Sequence, residues 1–162
     1  MARTIVVTSG KGGVGKSSIS VNLATALASH HAKVCLIDAD FGLKNLDVMM
    51  GLENRVIYDL KDVVEGRCNL EQVLIKDKRV PTLFLIPACK SLKFTDFKVD
   101  YMKTVVDHFK HQFDYIIIDS PAGIEKGFEY ACTCADEAIV VVNLDLSSIR
   151  DCDRVVGLLM KR

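Results

Sequence analysis

Val6-Val7-Thr8-Ser9-Gly10-Lys11-Gly12-Gly13-Val14-Gly15-Lys16-Ser17 starts as an apolar strand, turns through glycines and ends where a helix begins. Gly10, Gly15, Lys16 and Ser17 match the G-x-x-x-x-G-K-[ST] spacing of a phosphate-binding loop. Glycines let successive backbone N–H groups turn inward without a Cβ clash and form a concavity for phosphate oxygens. The helix that follows adds its unpaired N–H groups and the positive end of its dipole. Lys16 supplies a compact charge for the β- and γ-phosphates, and the Ser17 hydroxyl is sized to ligate Mg²⁺ beside them. The candidate nucleotide-binding residues are therefore Gly10, Lys11, Gly12, Gly13, Val14, Gly15, Lys16, Ser17 and Ser18.

The strands and helices around this loop alternate. Residues 4–8, 33–37, 83–86, 113–119 and 137–142 read as five apolar strands, and 17–30, 58–65, 98–112, 125–135 and 147–161 as helices, with 70–75 a further short helical turn. Ile19, Leu23, Ala26 and Leu27 are expected on the inner face of the first helix, and Ile149, Cys152, Val156 and Leu159 on that of the last. Such alternation predicts an α/β fold, a doubly wound, mainly parallel sheet with helices on both faces and right-handed crossovers, in one domain over 1–162.

The second strand delivers Asp38 and Asp40, and the 113–119 run delivers Asp119, to the carboxyl edge of the sheet, where open α/β folds bind ligands. A buried strand ending in aspartate is a Walker B pattern, whose carboxylate holds Mg²⁺, usually through water. Alone it is weak; with the phosphate loop upstream it gains meaning. Asp38 and Asp40 can hold a metal-bound water or orient an attacking one, or they can be turn formers. The mixed segment 41–51 and the turn Pro121-Ala122-Gly123 suit switches ordered by nucleotide.

Composition narrows the classes. The chain has 162 residues, 49% of them hydrophobic, and a formal net charge of zero with no basic run, so binding to nucleic acid through phosphate contacts is not expected. No apolar run is long enough to span a bilayer, and the N-terminus enters a strand at once, which predicts a cytoplasmic protein. Cys35, Cys68, Cys89, Cys132, Cys134 and Cys152 are scattered through apolar patterns and read as small core side chains. Cys132-Thr133-Cys134 lacks the C-x-x-C spacing of zinc and redox sites.

Gly10-Lys11-Gly12-Gly13-Val14-Gly15-Lys16-Ser17, Asp38-Ala39-Asp40-Phe41-Gly42-Leu43-Lys44-Asn45, Asp119-Ser120-Pro121-Ala122-Gly123-Ile124-Glu125 and Ser147-Ser148-Ile149-Arg150-Asp151-Cys152-Asp153 together resemble the ParA/MinD family of ATPases with a deviant Walker A loop, and its septum-placing branch above all. The resemblance implies an ATP- and Mg²⁺-dependent switch that dimerises around nucleotide and acts in placing the division septum. Carried over by position, Lys11 reaches the partner's nucleotide in trans and Lys16 acts in cis. Ser17 and Asp119, with Asp38 beside them, form the magnesium site, and Asp40 orients the attacking water. Asn45, Asp151 and Asp153 fall where such proteins meet regulators, MinC-like and MinE-like partners. Asp151 and Asp153 read equally well as a solvated helix face. The chain departs from the family in having Asn143-Leu144-Asp145 where Asn-Pro-Glu is usual, and Lys90 where an uncharged polar residue is common. The family's further strands, base-contacting segment and C-terminal membrane helix have no counterpart before Arg162, so the sheet is expected to be incomplete at that end and contact with a membrane surface to need a segment not in this chain. Other readings of the same loop are a ParA-like partition or flagellar-number ATPase, an iron–sulfur carrier of the superfamily, and a fragment without activity.

Overall fold

The computed structural model describes residues 1–40, 46–89, 100–123 and 126–161. The loop at Gly10 is preceded by strand β1 (Arg3–Ser9) and followed by helix α1 (Lys16–Ser29). Then come β2 (Val34–Asp38), α2 (Leu46–Met49), α3 (Leu60–Val64), β3 (Ile75–Lys76), β4 (Leu83–Ile86), α4 (Tyr101–Phe109), β5 (Tyr115–Asp119), α5 (Lys126–Cys132), β6 (Glu137–Val141) and α6 (Leu146–Met160). Asn45, Lys90, Val99, Ile124, Glu125 and the first part, 41–45, of the expected first switch lie outside the described residues.

The strands form one sheet in the order β3-β4-β2-β5-β1-β6. All neighbours are parallel except β3 with β4. The central strands are apolar throughout because helices cover both of their faces. Cys35, Ile37, Ile116 and Ile118 point to the side of α4, α5 and α6, where they meet Met102, Val105, Phe109, Phe128 and Val155. Leu36, Leu85 and Ile117 point to the opposite side and pack with Ala24 and Ala28 of α1, and with Leu46 and Leu52. Each of these large side chains, once fully buried, contributes about 1.5–3 kcal/mol. The doubly wound parallel sheet expected from the alternation of elements is the one observed.

Three local expectations are corrected. The helical turn expected at 70–75 is a 3-10 turn over Leu70–Val73, followed by the two-residue strand β3. Two residues carry too little periodicity to be read in advance. They pair because the outer edge of β4 is open and Asp77 closes the return, its carboxylate accepting N–H bonds from Arg79 at 3.0 Å and Val80 at 2.9 Å. In α1 the buried positions are Lys16, Ser20, Ala24 and Ala28, while Ile19 and Ala26 are exposed. A stripe of small residues every fourth position lets the helix sit close to the strands, with Leu23 and Leu27 half-buried on its flank. In α6 the buried positions are Ser148 and Val155, and Ile149 and Val156 face outward. Two contacts set this rotation: Asp145 caps the helix by accepting the Ser148 N–H at 2.7 Å, and Asp151 lies against the phosphate loop.

The second contact is close. A Cβ placed on Gly10 would lie 2.3 Å from the Cβ of Asp151 and 2.6 Å from its carbonyl oxygen. Gly10 is therefore required by the approach of α6. Gly10→Ala should push α6 off the loop at a cost of about 2 kcal/mol, a fall of roughly 4–8 °C in thermal midpoint. An unchanged midpoint would show that the helix is free to shift.

Candidate functional site

β2 and β5 end level with each other, and β1 runs two residues further, to Ser9, before the glycine loop. Val7 pairs with Asp119 on one side of β5 and Asp38 pairs with Asp119 on the other, so the strand ends deliver two carboxylates to one edge beneath the glycine loop. The loop then turns with Gly13 and Gly15 at φ of 74° and 88°, a left-handed backbone that glycine adopts without strain. The Ser9 hydroxyl stiffens its first half by donating to the carbonyl of Lys11 at 2.8 Å. Across from it, the Gly123 N–H donates to the carbonyl of Ser9 at 3.0 Å and ties the turn after β5 to the loop.

Helix α1 begins at Lys16 with no side-chain cap and no acidic residue in its first turn. Helix α4 also lacks a side-chain cap, whereas Asp59 and Asp62 form a capping box on α3 and Asp145 caps α6. The first turn of α1 thus keeps its N–H groups and its dipole for an anion from outside the chain.

Behind that turn lies a dense polar cluster. The carboxylate of Asp119 is fully buried, and its Oδ1 accepts from Lys16 Nζ at 2.6 Å and from Ser20 Oγ at 2.7 Å. Its Oδ2 accepts from Ser17 Oγ at 2.9 Å. Lys16 is itself buried, and its ammonium lies 3.4 Å from Ser17 Oγ. A cleft of about 220 Å³ opens in front, lined by Ser9, Gly12, Gly13, Gly15, Lys16, Ser17, Ser18, Asp40 and Ala122. Oxygen donors on Ser17 and Asp119, a lysine, and a row of open N–H groups are the donor set that a magnesium-bound polyphosphate requires. A larger cleft of about 300 Å³ beside Val6, Cys132, Asp136 and Leu159 gathers no cation and stands apart from this chemistry.

Asp38 and Asp40 differ in environment. Both oxygens of Asp38 are engaged by the backbone, accepting the N–H of Asp40 at 3.1 Å and of Leu46 at 3.2 Å. Burial pushes its carboxyl up to about 7, with the negative charges of Asp119 and Asp40 adding to the rise and the two N–H bonds opposing it. Asp40 is half-buried in the cleft wall; burial raises its carboxyl too, Lys16 pulls it down, and Asp119 adds a smaller rise.

Of the residues expected at the site, the loop, Lys16, Ser17, Asp38, Asp40 and Asp119 converge. Lys11 lies apart from Lys16, its ammonium 3.4 Å from Asp145 Oδ1. Asp151 is half-buried with its backbone against Gly10, while Asp153 is exposed beside Ile149 and Val156. The sequence reading missed Ser20 and Asp145. The sequence carried no signal for Ser20, because apolar periodicity put Ile19, not Ser20, on the face toward the strands.

The match to known proteins follows the same residues. The family of AAA domains matches residues 2–159. The chain belongs to that family. Within it, this AAA domain is 55% identical over 160 residues to the septum site-determining protein MinD of Bacillus subtilis, an alignment that covers 98% of the chain and 60% of the relative. Among solved structures it resembles the MinC:MinD cell division protein complex of Aquifex aeolicus, with a TM-score of 0.89 and 51% identity over 99% of the chain and 64% of that chain. It also resembles MinD of Pyrococcus horikoshii complexed with Mg-ADP, with a TM-score of 0.87 and 30% identity over 99% of the chain and 66% of that chain. The AAA domain described here spans about three fifths of the length of the curated relative.

The environment of Asp38 makes a pH dependence. Folded protein holds a proton there up to about pH 7, whereas the unfolded chain releases it near its ordinary 3.8. The sign follows: the unfolded state binds fewer protons in this window, so stability is fullest below it and is lost as pH rises through it. The nucleotide-free chain should therefore melt at lower temperature as pH rises from roughly 5 to 7, and Asp38→Asn should flatten that slope. Equal slopes in the two proteins would remove Asp38 as the cause.

Proposed function

We propose that this chain is an ATP-binding and hydrolysing switch that closes into a dimer around Mg·ATP and works, as MinD does, in placing the division septum. The observation that carries the reading is the buried Lys16–Asp119–Ser17 cluster set directly beneath an uncapped helix N-terminus. Gly10, Lys11, Gly12, Gly13, Val14, Gly15, Lys16, Ser17 and Ser18 cradle the phosphates. Ser17 and Asp119 hold the Mg²⁺ ion, which when bound neutralises charge on the phosphate oxygens. Asp38, with both oxygens engaged by backbone N–H groups, serves the ion by fixing the start of the loop that bears Asp40. Asp40 orients the water that attacks the γ-phosphate; its place in the cleft wall, near the charge of Lys16, supports that role.

Lys16 must exchange Asp119 for phosphate as ATP enters. Lys11, half-exposed and paired only at the surface with Asp145, is free to swing toward the nucleotide of a second copy. In this scheme the outer face of α6, with Asp153 at its centre and Asp151 at its edge against Gly10, meets MinC-like and MinE-like regulators. Asn45 belongs to the same proposal and lies outside the described residues. No helix among the described residues is long and apolar enough to cross a membrane. The proposal places the protein in the cytoplasm, cycling on and off the inner face of the membrane, with nucleic acid playing no part.

Binding of Mg·ATP should raise the melting temperature by roughly 5–10 °C at a hundredfold excess over Kd. Lys16→Ala should abolish the rise. A wild-type chain whose melting is indifferent to ATP and magnesium would overturn the assignment. Lys11→Ala should bind nucleotide as a monomer yet fail to dimerise with ATP, read by light scattering; a variant that still dimerises would show that Lys11 does not act in trans.

A further inference from the structure

Asp119 has a partner that no part of the nucleotide scheme uses. Ser20, one turn beyond Lys16 in α1, is fully buried and places its Oγ 2.7 Å from Asp119 Oδ1 and 3.2 Å from the carbonyl of Lys16. Both neighbours are acceptors and the hydroxyl has one proton, so it goes to the closer, charged oxygen. Lys16 donates to that same oxygen.

On the reading that this is a Mg·ATP site, we propose that Ser20 is the positioning residue of Asp119, holding its carboxylate in the orientation that presents Oδ2 to the metal once Lys16 has moved to phosphate. The argument is one of counting donors. Asp119 accepts from Lys16 and Ser20 on Oδ1 and from Ser17 on Oδ2. With polyphosphate and metal bound, Lys16 would hold the phosphates and the Ser17 oxygen would be engaged with the ion. Of the three donors only Ser20 then remains, on the oxygen turned away from the cation. Without it a buried carboxylate would hold no side-chain donor on that oxygen and would be free to rotate about its last bond, so the metal would bear the cost of orienting it.

The backbone suits Ser20 to this task. Its Cα belongs to the close-packed stripe of Lys16, Ser20, Ala24 and Ala28, whose distance from the strands is fixed by small side chains. The hydroxyl touches no part of the cleft, whose lining omits it. Its effect is therefore on the metal through Asp119, and not on the phosphates.

The test separates those two. Binding of a fluorescent ATP analogue is measured for wild type, Ser20→Ala and Ser20→Cys, first in EDTA and then across a magnesium titration, with melting of the nucleotide-free proteins as a check on folding. Ser20→Ala should bind the analogue in EDTA within about twofold of wild type but need roughly tenfold more Mg²⁺ for half-maximal tightening, the usual effect of losing a group that orients a metal ligand. Ser20→Cys, a weaker donor of similar shape, should fall between the two. An unchanged magnesium midpoint in Ser20→Ala would overturn the proposal. So would equal weakening in EDTA and in magnesium, which would mark Ser20 as packing alone. A wild-type chain that binds no analogue in either condition would overturn the nucleotide-site reading, and this assignment with it.

Discussion

The ion pair between Lys16 and Asp119 is the constraint around which the carboxyl edge of the sheet is arranged. Both groups are buried, at 2.6 Å. Removing charges from water costs several kcal/mol per ion, and only good geometry with further hydrogen bonds recovers it. The chain supplies those bonds from one helix: Ser17 and Ser20 flank Lys16 and close on the two oxygens of Asp119. That demand explains features that look unrelated. The helix must lie close to β5, hence the small residues of its inner stripe. Its first turn must face the carboxylate, hence the left-handed Gly15 immediately before it. β5 must be central, so that Asp119 is sealed by β1 on one side and β2 on the other.

A pair so enclosed is also poised. Loss of either partner leaves an uncompensated buried charge, at about 3–5 kcal/mol. A phosphate that draws Lys16 away is therefore bound more tightly when a cation comes to Asp119, for which Ser17 and Asp119 supply oxygen donors. In the proposed chemistry, the tightening of phosphate binding by a cation follows from the electrostatics of the Lys16–Asp119 pair, before any reaction step is considered.

How much of this was legible in the sequence depended on how strongly each feature repeats. Strands buried on both faces, such as 115–119 and 34–38, announce themselves as apolar runs, and the glycine loop between strand and helix carries its own spacing. The carboxylates Asp38, Asp40 and Asp119 were found because each closes or follows such a run. Helix rotation was not legible. In α6, Ile149 and Val156 read as inward by hydrophobicity alone, yet a cap at Asp145 and a backbone contact at Gly10 turn them outward. In α1, Ile19 was preferred over Ser20 for the same reason, though the sheet is met by the smaller residue. Hydrophobic pattern reports which residues avoid water; it says little where close approach or a buried hydroxyl decides which side faces in.

The two lysines of the loop differ in energy more than in sequence. Lys16 is enclosed and its contact is expensive to break. Lys11 is more than a third exposed, and its contact with Asp145 at 3.4 Å is a surface pair that solvent screens. Asp145 loses little when Lys11 departs, since the Ser148 N–H is the larger cause of its lowered carboxyl. α6 keeps its cap either way. A residue meant to leave its own subunit should be held in this manner, near the phosphates, by a partner that has another bond to fall back on. One meant to stay should be held as Lys16 is, by a buried carboxylate whose charge is costly to leave alone.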